Sequence, residues 1–178
     1  MQFLAYLRLL KRHWKAALTA VVAPAVCFPL NFCPPWPDST GATSCVIAAI
    51  ISVVGVLVPY AFPTSRKKAL ARSIGAGIVA AVCLLVYIAS WSSWVRNAEQ
   101  FNDGHLVSAQ VVIGTTFAIS TQNLSEKELL RYHGFRVGEI YSSTSLMVTR
   151  LVLLSSFSAI FFFLTAAFGF TATKKRQA

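Results

Sequence analysis

The chain has 178 residues, 56% of them hydrophobic and only 12% charged, with a mean hydropathy of +0.61. A soluble globular domain carries about 25% charged residues, so this composition excludes an ordinary water-exposed fold. The net charge of +10, from 16 Lys and Arg against 6 Asp and Glu, sits in short clusters beside apolar runs, as orientation in a bilayer demands, and direct nucleic acid binding is not expected.

Residues 1–15 carry two stripes at helical spacing, a basic one of Arg8, Lys11, Arg12 and Lys15 and an apolar one of Phe3, Leu7, Leu10 and Trp14. Such a pattern predicts an amphipathic helix lying in the headgroup layer. The first apolar span is 16–32. It is close to the lower limit of roughly 17 residues for crossing a bilayer, and Pro24 and Pro29 should kink it; a re-entrant segment is the rival reading. The following loop is stiffened by Pro34, Pro35 and Pro37, with Trp36 at the interface. Cys33 and Cys45 bracket it and would pair as a disulfide if it faces an oxidising compartment.

The second span is 46–62, bounded by Pro63. Arg66, Lys67, Lys68 and Arg72 form the next basic cluster. The third span is 74–95, with Trp91 and Trp94 marking its far interface. Residues 96–145 are polar and mixed. The fourth span is 146–170, and a basic tail, 171–178, carries Lys174, Lys175 and Arg176. With four spans, all three basic clusters fall on one side. The positive-inside rule makes that side cytoplasmic, with both termini there, and places 31–45 and 96–145 outside. In a bacterium the membrane is the inner membrane.

The expected fold is therefore an all-α membrane protein of four transmembrane helices, with a small α+β extracytoplasmic insertion between helices 3 and 4. Inside 96–145, Val107, Val111, Ile113, Phe117 and Ile119 share one parity, and Ser108, Gln110, Thr116 and Ser120 the other. Period-two alternation predicts a strand over 106–121, with Gly114 a bulge or turn. Ser125 and Glu128 form a capping box, with Leu124 and Leu129 as its hydrophobic staple. Gly134 is placed to end that helix. A second strand is expected over 135–141, giving the order strand, helix, strand. Fifty residues make a poor core alone, so the unit should lean on the membrane, on copies of itself or on a partner.

No motif names a reaction. GxSxG, HExxH and P-loop patterns are absent from the sequence, and no span contains Asp or Glu. Neither an enzyme nor a cofactor is expected. Asp103 and His105 lack the further ligands of a metal site, and His133 suits a helix C-terminus. Arg150, inside the fourth span, either snorkels to the interface or contacts a lipid phosphate, an anion or a partner carboxylate. Ala48, Ser52 and Gly55 make one small-residue face, and Ser73, Gly77 and Ala81 another. Both suit close helix packing within the chain or between copies. Cys27 and Cys83 are packing residues of the spans. Phe157, Phe161, Phe162, Phe163, Phe168 and Phe170 give the fourth span a bulky lipid-facing or interface surface.

The pattern of four spans, cytoplasmic termini and compact external loops resembles the membrane subunit of the Kiwa anti-phage defence system. It also resembles immunity proteins against pore-forming bacteriocins. Both resemblances lie in the span pattern and carry no residue roles. Three functional classes follow. The first is a sensor or scaffold in a homo-oligomer, whose basic face (Arg8, Lys11, Arg12, Lys15, Arg66, Lys67, Lys68, Arg72) docks a cytoplasmic protein. The others are toxin immunity and a channel or pore-forming effector. The first is the primary expectation.

Overall fold

A computed structural model describes residues 14–27, 32–35, 41–61, 65–102, 105–119 and 125–176. The amphipathic stripe at Arg8, Lys11 and Arg12, the loop residues Trp36 and Pro37 and the staple residue Leu124 lie outside the described residues, as do the side chains of Lys15, Arg66 and the basic tail. The elements run in order α1 (Trp14–Cys27), α2 (Ala42–Ala61), α3 (Arg66–Trp94), β1 (Val95–Asn102), β2 (His105–Val112), α4 (Glu126–Tyr132), α5 (Val137–Ile140) and α6 (Ser143–Arg176).

Three helices are long and apolar enough to cross a membrane, over Ala42–Ala61, Lys67–Trp94 and Ser143–Thr171. Helix α1 is described over 14 residues and keeps Pro24 inside it, fully buried.

Helix α6 is the hub of the bundle, packing against both α2 and α3, while α1 packs chiefly on α2. Its direction relative to each neighbour follows from paired residues. Ser73 Oγ donates to the Ala167 carbonyl at 3.0 Å, and the Tyr87 and Phe157 rings lie 5.4 Å apart, so α3 runs antiparallel to α6. Thr165 Oγ1 donates to the Ser52 carbonyl at 3.0 Å, and Gly169 abuts Val56 and Pro59, so α2 runs parallel to it. Pro59 is tolerated inside α2 because Gly169 leaves room for its ring: a Cβ there would sit 2.8 Å from Pro59 Cγ. The long helices thus share two ends, a hairpin end at Trp94 and Ser143 and a basic end at Arg66 and Arg176.

Helix α3 meets α6 through Ala69, Ser73, Ala76, Ala80, Cys83, Tyr87, Ser90 and Trp94, all buried or half-buried. Their spacing alternates between four and three residues, the seam of a left-handed helix pair. The rest of α3 is apolar and exposed, including Ile74, Ile78, Val82 and Leu85. In water that surface would be a large unpaired patch; in a bilayer it meets hydrocarbon. The phenylalanines of α6 divide by side. Phe157, Phe161 and Phe170 are in the core, where Phe157 and Phe161 pack edge to face, and Phe168 is exposed.

At the hairpin end, Cys33 and Cys45 are joined by a disulfide with Cα atoms 6.0 Å apart. Both are buried in the main core with Ala48, Tyr87, Val112, Leu153 and Phe157. Ser44 Oγ donates to the Pro34 carbonyl at 2.8 Å, and the Tyr87 hydroxyl donates to the Phe32 carbonyl. Gly41 adopts φ +71°, and a Cβ there would lie 2.8 Å from the Cys33 carbonyl oxygen, so the approach to the disulfide requires glycine on two counts.

The small unit departs from the expected order of strand, helix, strand. Both strands precede the helix: β1 pairs antiparallel with β2, from Val95↔Val112 to Asn102↔His105. The sequence Val-Arg-Asn-Ala-Glu-Gln-Phe-Asn of β1 is polar and poor in β-branched residues, so it carries no strand pattern of its own. It becomes a strand because β2 folds back on it. The predicted strand over 135–141 is replaced by the short helix α5 and a single bridge, Phe117↔Tyr141. The cause is local. Helix α4 ends in a Schellman motif: Phe135 N donates to the Leu130 carbonyl at 2.7 Å, and Gly134 N to the Arg131 carbonyl at 3.1 Å. Gly134 and Phe135 both take positive φ, 56° and 61°, which turns the chain out of extended geometry. Glu139 then bonds His133 and Arg136, which holds the next turn. Helix α3 begins at Arg66 and α6 at Ser143, so both are longer than the apolar runs alone.

The capping box of α4 is in place. Ser125 Oγ accepts from Glu128 N, and the Glu128 carboxylate accepts from Ser125 N at 2.9 Å and Ser125 Oγ at 2.7 Å. These bonds hold the Glu128 carboxyl below its ordinary range. A lowered folded value means that the contribution is present above the ordinary carboxylate range and lost as pH falls through the folded value. Ser125→Ala should speed amide exchange in α4 roughly five-fold at neutral pH. The difference should shrink as the solution is made strongly acidic, because the bonds to the Glu128 carboxylate are lost while Ser125 Oγ still accepts from Glu128 N. A ratio of one at neutral pH would contradict the capping role, and an unchanged ratio at every pH would contradict the part of the Glu128 carboxylate in it.

Candidate functional site

A cleft with convergent charged groups lies at the hairpin end, between the base of β1 and α4. It is about 720 Å³ and is lined by Arg96, Asn97, Glu126, Lys127, Leu130, Arg131 and Phe135, within the size range of small-ligand sites. Arg96 enters because α3 passes into β1 without a loop. Its Nε donates to Glu126 Oε1 at 3.1 Å, and Nη1 to the carbonyls of Ser92 at 3.1 Å and Val95 at 3.2 Å. The pair with Glu126 is over one-third exposed and worth under about 1 kcal/mol; its effect is to fix the guanidinium across the cleft. Lys127 and Arg131 lie one turn apart on exposed positions of α4. Three cations face one carboxylate, so the cleft favours an anion.

Its floor leads directly to α6. Leu130 and Phe135 pack with Ile113, Ile140, Tyr141, Leu146 and Trp94 in one cluster. Tyr141 is 2% exposed and its hydroxyl has no hydrogen-bond partner. Burial, with a smaller push from the Glu126 carboxylate and opposed by Arg96, holds that hydroxyl up at about 12, so Tyr141 lies within the field of the cleft. The ring stacks on Phe117 at 4.9 Å. Beneath it, Gly114 is pressed against α6: a Cβ there would fall 2.3 Å from Ser145 Oγ and 2.8 Å from Tyr141 Cβ. The Thr116 carbonyl accepts from Ser142 N at 3.0 Å and Ser145 Oγ at 3.3 Å. Ile113 N donates to the Trp94 carbonyl at 2.8 Å.

Comparison with protein-family models, curated proteins and solved structures finds no match.

The residues singled out in sequence fall into separate places. Lys67, Lys68 and Arg72 are exposed on the first turns of α3, at the basic end. That end is roughly 43 Å from Trp94 at 1.5 Å per residue. Ala48, Ser52 and Gly55 are buried against α6 or within α2. Ser73 joins the α3 seam, Gly77 is half-buried with open space at its Cβ, and Ala81 is exposed while Ala80 faces inward. Arg150 is half-buried near the hairpin end. Among the described residues, no group of three or more His, Cys, Asp or Glu could hold a metal ion.

The cleft was not singled out by sequence reasoning. Arg96, Lys127, Arg131 and Glu126 fall among the polar, mixed residues of 96–145 and carry no motif. The signal was Asp103-Gly104, a favoured two-residue hairpin sequence lying between the paired ends Asn102 and His105. The pairing of β1 with β2 sets Arg96 opposite Val111, and the bond to Glu126 sets it beside α4.

Proposed function

We propose that this chain is a non-enzymatic sensor and scaffold subunit of a bacterial inner-membrane complex. It crosses the bilayer four times, α1 with its flanking residues supplying the fourth crossing, and keeps both termini in the cytoplasm. The unit of β1, β2, α4 and α5 is extracytoplasmic, and its cationic cleft takes an acidic ligand. The observation that carries the reading is the close contact of Gly114 and Tyr141 with the start of α6. A displacement of the cleft must move Tyr141, and Tyr141 cannot move without Ser145 and the helix behind it. Because α6 touches both long neighbours, the displacement reaches the basic end, where Arg66, Lys67, Lys68 and Arg72, with Arg8, Lys11, Arg12 and Lys15, dock an acidic cytoplasmic protein. Homo-oligomerisation through the exposed face of α3 fits the same scheme, and the resemblance of the span pattern to a membrane subunit of anti-phage defence supports that setting.

The test is a mild-detergent purification of the tagged chain from its native cell, with mass analysis of the intact complex. The parent chain should carry a stoichiometric cytoplasmic protein. A variant with Arg66, Lys67, Lys68 and Arg72 changed to Gln should lose most of it while keeping its oligomeric mass. Equal recovery of the partner on both chains would refute the docking role. A homo-oligomer without partner from either chain would favour toxin immunity or a pore, which liposome flux separates.

A further inference from the structure

A groove of about 370 Å³ runs between α2 and α6, walled by Ile47, Ile51, Leu154, Ser158, Phe162 and Phe163 among others. It follows α6 from Leu151 to Phe163, a length of roughly 18 Å at 1.5 Å per residue. Its wall is hydrocarbon apart from two serines. Ser155 Oγ already donates to the Val152 carbonyl at 3.2 Å. Ser158 is only 4% exposed, yet its hydroxyl has no partner.

Arg150 directly precedes Leu151, the first α6 residue of this groove, and lies one turn ahead of Leu154. Residues 150, 154 and 158 are spaced by four and share one strip of α6. The Arg150 Nε is buried and also has no partner. Of the three buried unpartnered side-chain atoms among the described residues, two are therefore on this strip. The depth of Arg150 follows from packing. Tyr87 meets Phe157 across the antiparallel pair, so seven residues further along each helix bring Trp94 level with Arg150. That tryptophan ends α3 where the chain leaves the apolar span for the hairpin, which is where interfacial tryptophans lie. A guanidinium at headgroup depth above an acyl-sized apolar groove is the arrangement that a phospholipid requires, and guanidinium binds phosphate oxygens bidentately.

We propose that the groove holds one acyl chain of an anionic phospholipid whose phosphate is bound by Arg150. Snorkelling alone would place the charge in water and would leave the groove indifferent to headgroup. Here the phosphate takes the guanidinium, whose Nε has no partner within the chain, and the acyl chain covers the wall down to Phe163. Ser158 lies roughly 12 Å below Arg150, so it faces hydrocarbon and not the phosphate. The inference rests on the long helices lying in a bilayer, and not on any signalling role.

The test uses the full chain in nanodiscs of phosphatidylcholine doped with phosphatidylglycerol, followed by native mass spectrometry of the protein with its retained lipids. The parent should retain one phosphatidylglycerol per chain in preference to phosphatidylcholine. Arg150→Gln should reduce that preference roughly ten-fold, as loss of a charged hydrogen bond does, and Arg150→Lys should restore part of it. Ser158→Phe, which fills the groove and leaves the cation, should lower retention of either lipid. Inorganic phosphate should not displace the lipid from the parent. Equal retention by the parent, Arg150→Gln and Ser158→Phe, each shown to be folded by thermal midpoint, would overturn the proposal. So would displacement by inorganic phosphate, or a change of oligomeric mass in Arg150→Gln at constant lipid content, which would assign the cation to a protein carboxylate.

Discussion

Gly55→Val will part α2 from α6 and lower the stability of the bundle by about 2–4 kcal/mol. A Cβ at Gly55 would stand 2.5 Å from the Phe162 carbonyl oxygen, 2.5 Å from Thr165 Oγ1 and 3.1 Å from Phe162 Cα. Two of these are backbone atoms in a continuous helix and cannot swing aside. The helices must separate, and the Thr165 to Ser52 hydrogen bond goes with the contact. The Thr165 hydroxyl is not orphaned, because it also donates to the Phe161 carbonyl at 2.6 Å. The loss is therefore mostly packing. Gly55→Ala should cost less with the same sign. Gly77→Ala is the control, since nothing lies within 4 Å of its added Cβ, and alanine is the better helix former. Thermal midpoints in one detergent measure all three. A Gly55→Val midpoint equal to that of Gly77→Ala would show that α2 and α6 do not meet at this notch.

The second large effect lies at the other end of α2. Breaking the Cys33–Cys45 bond, by reductant or by Cys33→Ala with Cys45→Ala, should lower the thermal midpoint by roughly 5–10 °C. The bond closes a short loop, 12 residues apart in sequence, worth about 3 kcal/mol in loop-closure entropy. Its two sulfurs are also core atoms, buried beside Tyr87, Phe157 and Val112. Opening it frees the Phe32 carbonyl from Tyr87 and the Pro34 carbonyl from Ser44. Gly41→Ala should act in the same direction, by left-handed strain and by collision with Cys33. Midpoints of the parent with and without reductant, beside those of the double variant, decide the matter. An oxidised parent no more stable than the double variant would mean that the bond contributes nothing.

The long apolar helices were legible because composition and length dictate them. So were the cap of α4 at Ser125 and its end at Gly134, because capping depends on residues a few positions apart. What stayed hidden depends on contacts distant in sequence. The pattern of β1 is uninformative until β2 lies against it. The run from Phe135 to Tyr141 has strand composition, but the Schellman turn ahead of it sets the backbone first. Small residues marked α3 as a packing helix, with Ser73, Gly77 and Ala81 as the expected face; within the chain Ser73 packs, while Gly77 has open space at its Cβ and Ala81 is exposed. The inward stripe passes through Ala80, not Ala81, because burial against α6 follows the seam from Ala69 to Trp94. The cationic cleft combines a residue that leaves a membrane helix with others from a capped surface helix, and no local spacing announces that pairing.

The position of the hub has a consequence for biogenesis. Helix α6 follows α1, α2 and α3 in the chain, so each of those segments is synthesised before its main neighbour exists. Until α6 arrives, the notch at Gly55 and the seam of α3 must wait in lipid. Their polar groups are suited to waiting. Ser52 Oγ donates to the Ala48 carbonyl of its own helix at 2.7 Å, so it needs no partner from α6. When α6 enters, it brings Thr165 and Gly169 to sites that are already formed on α2. The earlier helices thus behave as a half-built mould that α6, made after them, completes.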